Sequence, residues 1–420
     1  MVRHSREQVA RTFADIEVII MRSAAVVTRE IDDLEVAVNE LVAGIREKLV
    51  LGRAAIGIVY CDADVDVGEL GGRLHEELGC DIVGLTTTAS MERQNGYCDM
   101  GIVLVVITGD DVDIAAESIG ILSKDDHVEQ VRNAYSNARK KLPRNPELIL
   151  ICSPYIKDLT SDNCMETLDE ISGHVPVFGG VATDHYDLQY SKTFHNGKAF
   201  AEGSVFILIS GNIKPVFAMK HHFGSRVERK GIITKSTVNL VERVGNKTFK
   251  EYLSEITLVP DDDTVVYHFQ ATPFIMELPD YEASEQPVVR ALCSMDHETG
   301  AGGFISRMPE GSKLSINVLQ CEDLATSCAD TLDDLIDKMK QTQGYEYSMV
   351  LISTCNGRHL LMGSTKDLET NILIKKLSGF GSELNAIGFY GFGEMCPTVV
   401  DRGRQIKNRF HNMSFAVCAF

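Results

Sequence analysis

The sequence predicts an α/β protein built as two domains of mixed sheet-and-helix layers. Three observations lead there. Short runs at 55–60, 82–86, 102–107, 148–152 and 205–209 are rich in Val, Ile and Leu and nearly continuous in apolar character, as strands covered on both faces are. Between them lie segments with the 3.6-residue apolar spacing of amphipathic helices. Finally, 420 residues exceed what one hydrophobic core organises, and Leu258-Val259-Pro260-Asp261-Asp262-Asp263 makes a proline-acidic break.

Taken in order, residues 1–22 read as a polar lead-in whose end, Val18 to Arg22, opens a strand. Asp32 and Asp33 precede Leu34, Val38, Leu41, Val42, Ile45 and Leu49, an acidic start followed by a helical stripe. Further helices are expected around 67–78, 128–142 and 163–171, interleaved with the strands above to fill a first domain, 23–255. The second, 256–420, begins with β-rich stretches from Val265 to Asn317. A long helix follows from Cys321 to Thr342, then a strand at 348–353, a helix at about 366–377 and a closing strand at 413–420. The repeated alternation is what layered α/β architecture requires.

Composition narrows the function. With 41 Lys and Arg against 60 Asp and Glu, the formal charge of −19 repels phosphate backbones, and the richest basic stretch, Arg226 to Lys230, has Glu228 inside it. Nucleic acid is therefore not an expected partner. Eleven cysteines, with no CxxC pair, sit singly in apolar contexts such as Ile151-Cys152-Ser153, the usage of a reducing compartment. Asp15 and Glu17 break the N-terminal apolar stretch, and no run reaches the roughly eighteen apolar residues of a membrane span. A cytoplasmic location is the expectation.

The most distinctive segment is Ile387-Gly388-Phe389-Tyr390-Gly391-Phe392-Gly393-Glu394, with Phe410-His411-Asn412 downstream. Alternating glycines suit close backbone approach, to another strand or to a ligand. Together with Cys355-Asn356-Gly357-Arg358 this set resembles the C-terminal FIST domain. The first half resembles the N-terminal FIST domain in Gly84-Leu85-Thr86-Thr87, in Val175 to Asp184, in Thr193-Phe194-His195-Asn196-Gly197, and in the strand from Gly203 to Ser210. The resemblance runs from about Ser23 to Phe420. With no F-box-like segment ahead of it, the free-standing prokaryotic form is expected. The resemblance implies a sensory module that binds a small molecule, by common conjecture an amino acid or related metabolite, and relays occupancy to a protein partner. A subset with this layout comprises haem-binding nitric-oxide sensors acting on histidine kinases. Haem and such a kinase therefore stand as the alternative cofactor and partner, and an oligomer is left open.

Candidate ligand-binding residues are Arg358, Tyr390, Glu394, Asn412 and Cys355. A guanidinium fork at a strand-end loop and a carboxylate suit a zwitterion, with Tyr390 giving a ring face and Asn412 both donor and acceptor. The competing expectation is that Arg358 and Glu394 bridge each other. The Thr86-Thr87-Thr88 hydroxyls and the Gly179-Gly180 amides offer ligand contacts, although a tight turn accounts for the glycines. No metal site is expected: Asp62, Asp64 and Asp66 open like a calcium loop, but Val67 stands where glycine is needed and Arg73 where a bidentate glutamate is needed. If haem binds, His195 is the candidate axial ligand. No catalytic residue is assigned. A cysteine-dependent enzyme would use Cys355 with His359 or His411, yet no recognised nucleophile motif surrounds it.

Overall fold

A computed structural model describes residues 21–156, 159–185, 189–222, 225–256, 272–282, 285–400 and 405–420. The opening residues of the strand expected from Val18 and the proline-acidic break at 258–263 lie outside them, as do residues 265–271 of the β-rich stretch. Helices and strands mix in several sheets, so the chain is α/β.

The first sheet orders the strands Arg22–Thr28, Ile102–Gly109, Ala54–Cys61, Asp81–Thr86, Thr193–His195 and Lys198–Phe200. Ala54–Cys61 and Asp81–Thr86 run parallel, joined by the helix Val67–Leu78. That helix starts where the Asp66 carboxylate accepts from the amides of Gly68 and Glu69, and it stops at Gly79, whose φ of 68° fits the left-handed position. The helix Leu34–Lys48 starts the same way on Asp33, and it buries Ala37, Val38, Leu41, Val42 and Ile45 on the outer face of this sheet.

The next two sheets carry the site, because they trade strands between the two halves of the chain. One orders Gln405–His411, Glu394–Val400, Val177–Val181, Leu148–Ser153, Ser204–Gly211 and Val112–Ile119, so two C-terminal strands extend a sheet of the first half. The other orders Val216–Met219, Phe415–Ala419, Met349–Cys355, Asn385–Gly391, Ser90–Glu92 and Gly96–Cys98, so the early hairpin at 90–98 completes a sheet of the second half. Inner faces of the three sheets meet in one core, where the tilted rings of Tyr60 and Phe389 pack with centroids 4.7 Å apart. A fourth, antiparallel sheet within residues 225–318 has its own core around Phe249, Phe274 and Phe304.

Gly179 and Gly180 do not form a turn. They lie within the strand Val177–Val181, where a Cβ on Gly179 would fall 1.9 Å from the Ile151 carbonyl oxygen. The strand Val112–Ile119, which Asp113 and Glu117 disguise, belongs to the sheet edge. Among the described residues no helix is long and apolar enough to cross a membrane.

Candidate functional site

The motif residues converge at the ends of the parallel strands Met349–Cys355 and Asn385–Gly391, paired in register with Cys355 opposite Gly391. The helix Asn356–Met362 starts directly after Cys355, so Arg358 is helical rather than on a loop. The strand Glu394–Val400 pairs antiparallel with Gln405–His411, placing Glu394 opposite His411 on one face. Arg358, Tyr390, Glu394, Asn412 and Cys355 are all buried.

Arg358 and Glu394 do not bridge each other, and they are not free to grip a zwitterion together. The Arg358 guanidinium donates from Nε to Glu369 Oε1 at 2.7 Å and pairs with the same oxygen through Nη2 at 2.6 Å. Its other protons go to Ser327 Oγ and to the carbonyls of Leu324 and Met413. Glu369 Oε2 in turn accepts from Thr354 Oγ1 at 3.0 Å. Glu394 Oε2 accepts from the Ser414 amide at 3.1 Å and the Ser414 hydroxyl at 2.6 Å, while among the described residues its Oε1 makes no conventional hydrogen bond and only the Cys355 thiol lies against the carboxyl. Burial outweighs these bonds and the more distant Arg358 charge, pushing the Glu394 carboxyl up to about 8. Burial therefore favours its protonated form near neutral pH.

The neighbours are likewise committed to the fold. The Tyr390 amide donates to the Ala89 carbonyl at 3.0 Å, and its own carbonyl accepts from Thr87 and Thr183, each at 2.9 Å. The threonine motif thus fastens the two halves together. Asn412 donates to the Phe392 carbonyl at 3.2 Å and accepts from Ser306 Oγ at 2.5 Å. Burial, reinforced by Glu394, pushes the Cys355 thiol up, the opposite of what an attacking thiolate needs. Burial drives the basicity of His411 far down, with the nearby His221 and Arg290 charges adding to it. A void of about 10 Å³ beside Arg358, His221 and Met413 has room for one water, not for a metabolite.

Packing accounts for the glycine-aromatic segment. A Cβ on Gly393 would lie 2.1 Å from Phe410 Cζ and 3.1 Å from Asn412 Nδ2. Gly393→Ala is therefore expected to lower stability by about 1–3 kcal/mol through overpacking. Urea unfolding of the variant checks this, and a loss within error of zero would mean that Phe410 yields freely.

His195 lies half-buried on the hairpin strand Thr193–His195, with Nε2 facing Asp81 Oδ1 at 3.8 Å. Asp81 also accepts from Asn196 at 3.1 Å, and His195 pairs across the hairpin with Lys198. This polar hairpin does not fit the apolar slot that a macrocycle fills, and the imidazole faces a carboxylate rather than an open coordination position.

Sequence reasoning missed a cleft of about 340 Å³ between the helix Ser161–Ser172 and the strand Gln405–His411. Its walls carry both signs of charge. Arg290, buried, donates to the Phe410 carbonyl at 2.8 Å and faces Asp162 Oδ1 at 3.6 Å. Arg307 pairs with Glu166 at the rim, and Arg409 reaches Asp280 at 2.9 Å and Glu285 at 3.1 Å. Among the described residues the buried Nε of Arg409 has no hydrogen bond. A signal did exist: Asp162, Glu166 and Asp169 fall at i, i+4 and i+7, one acidic stripe on a helix, and Lys407 and Arg409 alternate on a strand.

The FIST N domain model matches residues 55–247 and the FIST C domain model residues 247–397. An uncharacterized protein of Methanocaldococcus jannaschii is 24% identical over 260 residues, covering 56% of this chain and 48% of that protein. The chain thus spans about half the length of this curated relative. Among solved structures, a cyanuric acid hydrolase from A. caulinodans aligns over 95% of this chain and 98% of its own, at TM-score 0.36 and 9% identity, which is too distant to carry an argument.

Proposed function

Because the chain belongs to the FIST family, which is associated with sensory signal transduction, we propose that it senses a small metabolite of the amino-acid kind in the cleft between the two halves. The cleft carries this reading. Its volume of about 340 Å³ suits a small molecule, and its walls oppose guanidinium groups to carboxylates. A bound zwitterion would set its carboxylate toward Arg307 or Arg409 and its ammonium toward Glu166 or Asp280, replacing one partner of each existing pair.

Relay follows from connectivity. Phe410 lines the cleft, and the next two residues, His411 and Asn412, belong to the buried motif core. Arg290 holds the Phe410 carbonyl from the cleft side. A ligand that binds one setting of this strand more tightly shifts the population of that setting, and a signalling partner such as a histidine kinase reads the change.

Thermal unfolding with a panel of free amino acids tests the proposal. A true ligand at one hundred times its Kd is expected to stabilise the chain by about 2.7 kcal/mol. Arg307→Ala, at the rim, is expected to raise Kd about tenfold or more, as loss of a charged hydrogen bond does. If no amino acid shifts the melting temperature, or if Arg307→Ala and Arg409→Ala leave the shift intact, the cleft reading fails.

A further inference from the structure

The loop at 62–66 lacks the glycine and the bidentate glutamate of a calcium loop, but folding brings a histidine to it from far along the chain. His185 Nε2 lies 3.4 Å from Asp62 Oδ1 and 3.5 Å from Asp64 Oδ1. The three donor atoms all fall within 4.8 Å of one another. We propose that Asp62, Asp64 and His185 bind a divalent cation of the Zn²⁺ class, leaving a fourth position open to water or another ligand.

Spacing is the first argument. With metal–ligand bonds of about 2.1 Å, two donors in a tetrahedral site stand roughly 3.4 Å apart. The separations from the imidazole to both carboxylates match that edge, and they are too long for good hydrogen bonds. Two oxygens and one imidazole nitrogen with an open position are a donor set zinc accepts.

Charge is the second, independent argument. Asp62 is 3% exposed, and among the described residues its only ion-pair partner is His185, which is half in solvent. Asp64 and Asp99 add further negative charge nearby. Buried charges are ordinarily paired or bound to metal. Two carboxylates and one dication sum to zero, so the ion would supply the missing counter-charge.

The donors are also held separately before any ion arrives. Asp62 follows the strand Ala54–Cys61; its amide donates to Gly101 and its carboxylate accepts from the Asp64 amide at 2.9 Å. His185 follows Thr183 and Asp184, which are tied to Thr88: the Thr88 amide donates to Thr183 Oγ1 and the Thr88 hydroxyl to the Asp184 carbonyl, each at 2.8 Å. Two anchored segments therefore present ligands to one point at the carboxyl end of a parallel strand, where open α/β sheets place ligands.

The test is calorimetric titration of Zn²⁺ into the full chain, with Co²⁺ absorption as a report on geometry. Wild type is expected to show one site and the visible bands of four-coordinate Co²⁺. Asp64→Asn and His185→Ala alter exposed side chains and keep the fold, and each is expected to weaken Zn²⁺ by about tenfold or more. Amino-acid-dependent stabilisation through the cleft should be unchanged in both variants, which separates this site from that one. Absence of Zn²⁺ binding by wild type, or binding that both variants retain in full, overturns the proposal.

Discussion

Arg358→Ala is expected to cost about 3–5 kcal/mol of stability, the penalty for removing one partner of a buried ion pair. The substitution strands the Glu369 carboxylate, which is fully buried and keeps only the Thr354 hydroxyl. It also releases the carbonyls of Leu324 and Met413 and the Ser327 hydroxyl from their donors. Most of the loss is expected to come from the uncompensated charge rather than from the lost contacts. The double variant Arg358→Met, Glu369→Leu should consequently be less damaged than the single one, because it removes the stranded carboxylate. Urea unfolding of wild type, single and double variants at pH 7 decides the matter. A single-variant loss below about 1 kcal/mol would show that Glu369 finds water or another donor, as exposed pairs do.

That pairing shows where sequence reading runs out. Helices at 34–48 and 67–78 were legible because an N-cap aspartate and a one-sided apolar stripe are local features. The convergence of Cys355, Arg358, Tyr390, Glu394 and Asn412 in one buried core was legible through the motif. Which charge answers which was not. Glu369 sits in the first turn of the helix Leu368–Leu377 and looks, in sequence, like any acid at a helix start. Only the packing of that helix beside Arg358 makes it the counter-ion. The glycines of the segment 387–394 read equally well as ligand approach or backbone packing, and the contact of Gly393 with Phe410 settles them as packing. The cleft and the Asp62, Asp64 and His185 cluster stayed hidden because each joins residues close in sequence to others that only folding brings near: Asp162, Glu166 and Asp169 to Lys407 and Arg409, and Asp62 and Asp64 to His185.

Glu394→Gln is expected to remove a pH dependence that the wild type carries. The folded carboxyl titrates at about 8, against about 4.5 in an exposed chain, because burial disfavours its charge. Between those values the folded state holds a proton that the unfolded state has released. Stability therefore falls as pH rises, by up to about 1.4 kcal/mol per pH unit. The contribution is fully present below about pH 4.5, is lost progressively as pH rises, and levels off once pH passes about 8. Glutamine mimics the protonated acid, accepting from Ser414 through one atom and carrying hydrogen on the other, so the variant should lie within about 1 kcal/mol of wild type near pH 5 and exceed it by several kcal/mol near pH 8. The buried histidines act in the opposite sense: His221 is pushed down to about 3 and His411 further, so acid destabilises the fold through them. They are common to both proteins and cancel in the difference. Unfolding free energies of wild type and Glu394→Gln at half-unit steps from pH 5 to 9 measure that difference, and parallel curves would mean that Glu394 is ionised in the fold, with a counter-charge supplied at Oε1.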